Sequence, residues 1–200
     1  EAGRTRPAVP KDGDAAHTFP KLAAITASAG ESRVMYRLVQ RLAAQQSYSA
    51  AIADVVQEIS TLIPATAVAF YSPIEGGSEL EATHVAGGHV DWLKGRRARV
   101  GERIIGWSAS SGRSVLNADA HGEFGELARS VTSPLKSCLT VPVTVGPERL
   151  GVLAAFASTE VTFGTEDQRL VEAVFRHISP ILDRLWPKTA RLEIDAPTSH

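Results

Sequence analysis

The sequence predicts an α+β fold, and three observations predict it. Apolar residues recur at helical spacing toward both ends, short β-forming runs punctuated by turn residues fill the middle, and these runs group into strand pairs. A sheet with helices gathered on one face is the plan that buries both kinds of pattern.

Taken in order, residues 1–28 carry Pro7, Pro10, Pro20, Gly3 and Gly13 among scattered charges. They hold too few large apolar side chains to offset the entropy of ordering, so a flexible leader is expected. Residues 29–46 read as a helix on the spacing of Val34, Leu38 and Leu42, with Met35 and Val39 beside them. This helix has no obvious place inside a compact domain, so its stripe is expected to meet the same helix of a second subunit, as a dimerisation or signalling helix.

A second helix starts near Ser49, an N-cap candidate, and runs through Ile52, Val55, Val56, Ile59, Leu62 and Ile63 to Pro64. Two antiparallel strands follow, Ala67 to Tyr71 and Leu80 to Val85, joined by a loop containing Gly76-Gly77. Ile104 to Ser111 reads as a short helix stopped by Gly112, and Ser114 to Leu116 as a small strand. A long polar loop is expected from Asn117 to Ser133.

Ser137 to Val145 and Leu150 to Ser158 flank Gly146-Pro147-Glu148-Arg149 and form a second hairpin. Thr165-Glu166-Asp167-Gln168 fits a capping box, opening a helix that continues through Leu170, Val171, Val174, Phe175, Ile178, Ile181, Leu182 and Leu185. Pro180 is placed to kink it, because proline removes a donor and crowds the preceding turn. Pro187 closes that run, and residues 187–200 read as a flexible tail.

Composition removes several function classes. The 21 basic and 22 acidic residues nearly cancel, so no nucleic acid or anionic membrane partner is expected. One cysteine cannot form an internal disulfide, and no run approaches the roughly 20 apolar residues that span a bilayer. A soluble, cytoplasmic protein without membrane insertion is therefore expected. The chain begins at Glu1 without an initiator Met, which reads as a processed chain or a piece of a longer one.

The run Val100-Gly101-Glu102-Arg103-Ile104-Ile105-Gly106-Trp107, with Ser111-Gly112-Arg113-Ser114-Val115, resembles the signature of the GAF domain family, a short glycine-bounded helix leading into a strand. Three further pieces match in order: Asn117-Ala118-Asp119; Ser137 to Val143 with Leu150-Gly151-Val152-Leu153; and Phe163-Gly164-Thr165-Glu166-Asp167. The resemblance covers residues 47–186. It implies an antiparallel sheet of about five or six strands, with helices packed on one face and a ligand pocket on the other.

The family plan places Phe70, Trp92, Ile104, Trp107, Asn117 and Asp119 around that pocket, with Thr140 and Phe156 joining from the hairpin. Aromatic walls with a few polar groups suit a flat small molecule. Each also has an ordinary alternative: aromatic rings fill cores, and Asn117 and Asp119 stabilise turns.

No compact catalytic or metal signature is present. Cys138 lies in an apolar strand, where a cysteine is usually a packing group, and the methionine sulfoxide reductases among GAF relatives need several cysteines. Bilin attachment and cyclic-nucleotide binding lose their usual motifs. His84, His89 and His121 offer imidazoles to a metal or haem iron, but their spacing matches no metal motif, and solvated histidines are the default. Lys94, Arg96, Arg97, Arg99 and Arg103 form a basic cluster suited to a phosphate or carboxylate, with a solvated face as the preferred reading.

The resulting expectation is a non-catalytic, bacterial-type sensor whose small-molecule ligand, of unreadable identity and with no cofactor assigned, changes the geometry of a helical homodimer attached to an output domain or partner. The alternatives are a ligand-free dimerisation or scaffolding module and, behind it, a haem or redox sensor.

Overall fold

The computed structural model describes residues 32–74, 76–129, 134–145 and 148–186. The leader and tail expected at 1–28 and 187–200 lie outside the described residues. The chain divides into two units, Glu1–Arg37 and Leu38–His200. Residues 32–43 are helical (α1), and the elements that follow α1 lie in the second unit.

Its elements are α2 (Tyr48–Leu62), β1 (Ala67–Pro73), β2 (Glu79–Gly87), α3 (Val90–Leu93), β3 (Arg97–Arg99), α4 (Arg103–Ser111), β4 (Val115–Asp119), α5 (Ala120–Phe124), a 3-10 turn (Gly125–Arg129), β5 (Ser137–Val145), β6 (Glu148–Ala157) and α6 (Thr165–Leu185). The strands form one sheet of six in the order β3-β2-β1-β6-β5-β4, and every neighbouring pair is antiparallel. The α+β class and antiparallel sheet expected from the sequence are therefore present.

One face of the sheet carries α2 and α6, where Phe70 of β1 stacks on Phe175 of α6 at 6.2 Å between ring centroids. The other face carries α3, α4 and α5. Leu93, Ile105, Ala109, Ala120 and Phe124 from those helices meet Tyr71, Ala82, Cys138, Val152 and Phe156 from the strands in a single buried cluster. Burial of apolar area on both faces is the main stabilising term.

Several local expectations need correction. The N-cap of α2 is Ser47, whose Oγ accepts from Ala50 N at 3.4 Å, and not Ser49. At α6 the cap is Gly164, whose N–H donates to Asp167 Oδ2 at 2.7 Å, so Thr165 is already helical. The course of α6 through Pro180 to Leu185 is as expected. The supposed loop after Asn117 contains α5 and the 3-10 turn, and the basic cluster contains the edge strand β3.

The α1 stripe is partly used within the chain itself. Leu38 and Leu42 are 0% exposed. Arg41 pairs with Glu58 of α2 at 2.7 Å, and Arg184 of α6 donates to the carbonyl oxygens of Ala43 and Gln45 at 3.1 and 3.4 Å. The expectation that this helix lacks a place in the domain fails for residues 38–43, because Leu38 and Leu42 are buried within the chain, Glu58 of α2 pairs with Arg41, and Arg184 of α6 serves the carbonyls at its C-terminal end.

Candidate functional site

The face beneath α3–α5 is set by strand parity. Ala67, Ala69 and Tyr71 point to it from β1, and Val152, Ala154 and Phe156 from β6. In β2 the register skips Thr83, since Phe70 pairs with His84 and Tyr71 with Ala82. That bulge flips the alternation, so Leu80, Ala82 and Val85 share this face while His84 turns toward α2 and contacts Ser49 Oγ at 2.8 Å.

Aromatic rings fill the middle of the chamber. Trp92 of α3 meets Phe124 of α5 edge-on at 4.9 Å, and Phe124 meets Phe156 at 5.2 Å. Polar groups are buried among them. Tyr71 Oη and Thr140 Oγ1 lie buried without a hydrogen-bond partner among the described residues. Burial pushes the Tyr71 phenol well above its ordinary value, and Glu123 and Cys138 add to the rise.

Glu123 is the third buried polar group, 5% exposed. The N-cap residue of α4, Glu102, makes no side-chain cap bond, which leaves first-turn N–H groups of α4 in need of an acceptor. Glu123 Oε2 supplies it, accepting from Ile104 N and Ile105 N at 2.9 Å each. A carboxylate at a helix N-terminus suits the dipole. Burial nonetheless pushes the Glu123 carboxyl up, against the lowering effect of those two amides and of Arg103.

Beside Glu123 and Phe124 the surface opens into a cleft of about 340 Å³, lined also by Glu79, Arg96, Arg99 and Arg103. Its floor is ordered by opposite charges facing across β2 and β3: Arg97 pairs with Glu81 at 3.2 Å and Arg99 with Glu79 at 3.4 Å. Arg96 is held differently. Its guanidinium lies 3.8 Å over the Trp92 ring and its Nε donates to Trp92 O at 2.7 Å. Arg103 adopts a left-handed φ of 51°, uncommon for a non-glycine residue, and donates to the carbonyl oxygen of Glu123.

Of the residues expected at a pocket, Trp92, Ile104, Thr140 and Phe156 are on the chamber side of the sheet. Phe70 is not; it stacks on Phe175 across the sheet. Trp107 is 42% exposed on α4, away from the buried stripe of Ile105, Ser108 and Ala109.

Asn117 and Asp119 serve turns. Asp119 Oδ1 caps α5 by accepting from His121 N at 2.9 Å. Asn117, at φ 51°, accepts from Phe163 N at 2.9 Å and donates to Phe163 O at 2.5 Å. Asn117→Ala is therefore expected to cost roughly 1–2 kcal/mol, read by urea unfolding, because a bonded staple is lost at a conformation alanine tolerates poorly. An unchanged midpoint would remove the staple role.

Sequence reasoning missed Tyr71 and Glu123 and left Arg96 and Arg103 outside the site. Glu123 carried no local signal, since its role exists only where α5 meets α4. Cys138 is fully buried on the chamber face, and its thiol is pushed up by burial and by Glu123. Among the described residues no cluster of three or more His, Cys, Asp or Glu is placed to hold a metal. No helix there is long and apolar enough to cross a membrane.

Residues 47–182, more than half of the chain, match the family model of the GAF domain. Among solved structures, the GAF domain of a phosphoenolpyruvate-protein phosphotransferase from Coxiella burnetii is similar at 19% identity and TM-score 0.65, covering 80% of this chain and 96% of that one. The corresponding domain from Acinetobacter is similar at 15% identity and TM-score 0.63, covering 84% and 96%. A free methionine-R-sulfoxide reductase from Neisseria meningitidis, solved with its substrate, is similar at 17% identity and TM-score 0.64, covering 80% and 91%. A search of curated proteins found no match.

Proposed function

The chain belongs to the GAF domain family, and from that premise we propose that it is a non-catalytic sensor or regulatory domain that binds a small molecule at the chamber and its cleft. The carrying observation is the pair of buried polar atoms without partners, Tyr71 Oη and Thr140 Oγ1, on the face opposite α2 and α6. An unsatisfied buried hydroxyl costs roughly 1–3 kcal/mol, which a ligand group or an ordered water relieves.

The non-catalytic part rests on Cys138. Its thiol is buried and held protonated, whereas a reactive cysteine is an accessible thiolate. Two of the similar structures are GAF domains of phosphoenolpyruvate-protein phosphotransferases, which favours a module working beside an output domain. A helical homodimer in the cytoplasm completes the reading; Tyr36 of α1, 66% exposed, supplies apolar surface for such a contact.

The second reading is a ligand-free scaffold, favoured by the ring contacts of Trp92, Phe124 and Phe156 that fill the chamber's centre. Native mass spectrometry separates the two. A dimer heavier than twice the denatured chain mass by one small molecule per subunit supports the sensor. A bare dimer that no small molecule stabilises selects the scaffold, and a monomer removes the helical pairing.

A further inference from the structure

We infer that the cleft beside Phe124 takes a small organic anion, its carboxylate or phosphate on Arg96 and Arg103 and its apolar body against Phe124 and Leu127. The inference rests on the ligand-binding reading above and adds the chemical class. Four arginines line the cleft, but they are not equivalent. Arg97 and Arg99 are neutralised by Glu79, Glu81 and Glu102. Arg96 and Arg103 form no ion pair with a carboxylate among the described residues; both are instead anchored on backbone carbonyls.

Anchoring of that kind prepares an anion site. Nε of Arg96 is spent on Trp92 O and its plane rests on the Trp92 ring, so its two terminal nitrogens remain for an incoming anion and little rotamer freedom is lost on binding. Arg103 is carried into the cleft by a backbone conformation that non-glycine residues rarely adopt, and such outliers gather at binding sites. Glu79 and Glu102 are engaged by arginines, and Glu123 Oε2 is engaged by the α4 amides.

The organic body follows from shape. A lone inorganic ion leaves most of about 340 Å³ empty, while Phe124 and the half-exposed Leu127 offer apolar wall beside the two cations.

The test is thermal unfolding of the full chain with benzoate, phenyl phosphate, inorganic phosphate and benzamide. Benzoate or phenyl phosphate, at about ten times its Kd, is expected to raise Tm by roughly 3–6 °C, and their relative strength tells carboxylate from phosphate. The shift is expected to vanish in Arg96→Gln and Arg103→Gln and to persist in Arg97→Gln, whose parent is already paired. Two variants guard against one that fails to fold.

Benzamide acting as well as benzoate, a shift that survives both substitutions, or no shift with either organic anion would overturn the inference. Inorganic phosphate matching phenyl phosphate would reduce the site to an adventitious ion only. A neutral molecule retained in native mass spectrometry while the anions fail overturns the acid class and keeps the sensor reading. A bare protein that no compound stabilises removes both.

Discussion

Gly106→Ala is expected to destabilise the domain by roughly 3 kcal/mol or more, lowering Tm by about 6–12 °C. A Cβ at this position would lie 1.7 Å from the carbonyl oxygen of Arg99, a backbone atom with no rotamer to yield. The close approach is what lets Gly101 N donate to Gly106 O at 2.8 Å, which ties α4 to the end of β3. Separating the two would displace the backbone that carries Arg99 and Arg103, so the cleft would deform along with the stability loss.

Gly122→Ala is the control, since its Cβ would meet only side-chain atoms of Ile104, Cδ1 at 3.4 Å and Cγ1 at 4.0 Å. That substitution is expected to be neutral or to stabilise by up to about 1 kcal/mol, because alanine is the better helix former. Equal melting of the two variants would refute the steric argument.

Glu123→Ala is expected to cost roughly 2–4 kcal/mol, because it strands the amides of Ile104 and Ile105 and leaves a void beside them. Glu123→Gln keeps an acceptor oxygen and is expected to lose less. The two species also differ with pH. The folded-state carboxyl is raised above its ordinary value, so the fold binds that proton more tightly than the unfolded chain does.

The stability contributed by that proton is full below the ordinary carboxylate range and is lost as pH rises through the raised folded-state value. Glutamine does not ionise, so Glu123→Gln should gain on the parent between acidic and neutral pH. Denaturant unfolding across that interval measures the gap. A gap independent of pH would show that Glu123 does not titrate differently on folding.

The longer elements were legible because they carry a period. The β5 strand was expected at Ser137–Val145 and is found there, and α2, α4 and α6 follow their apolar spacing closely. The α3, β3 and α5 elements, of three to five residues, are too short to show one. In β3 the arginines read as a solvated cluster, although their cross-strand glutamates make them an edge strand.

The site was less legible, for a related reason. Ala67 to Tyr71 are all buried, so this run shows no polar alternation to say which residues face which side. The family resemblance places Phe70 at the pocket, yet it is Tyr71, one position out of phase, that faces the chamber. The bulge at Thr83 likewise shifts parity within β2 without a mark in the sequence.

By itself, then, the sequence determined the α+β class, the family, the main hairpins and the terminal helix, because hydrophobic period and turn chemistry act over neighbouring residues. Tertiary structure alone decided which side of each strand meets the chamber, that Glu123 caps a helix 18 residues away, and that Arg97 and Arg99 are ion-paired while, among the described residues, Arg96 and Arg103 form no ion pair. Those outcomes depend on strand register and on which elements pack together, and interactions between residues distant in the chain leave no periodic trace in it.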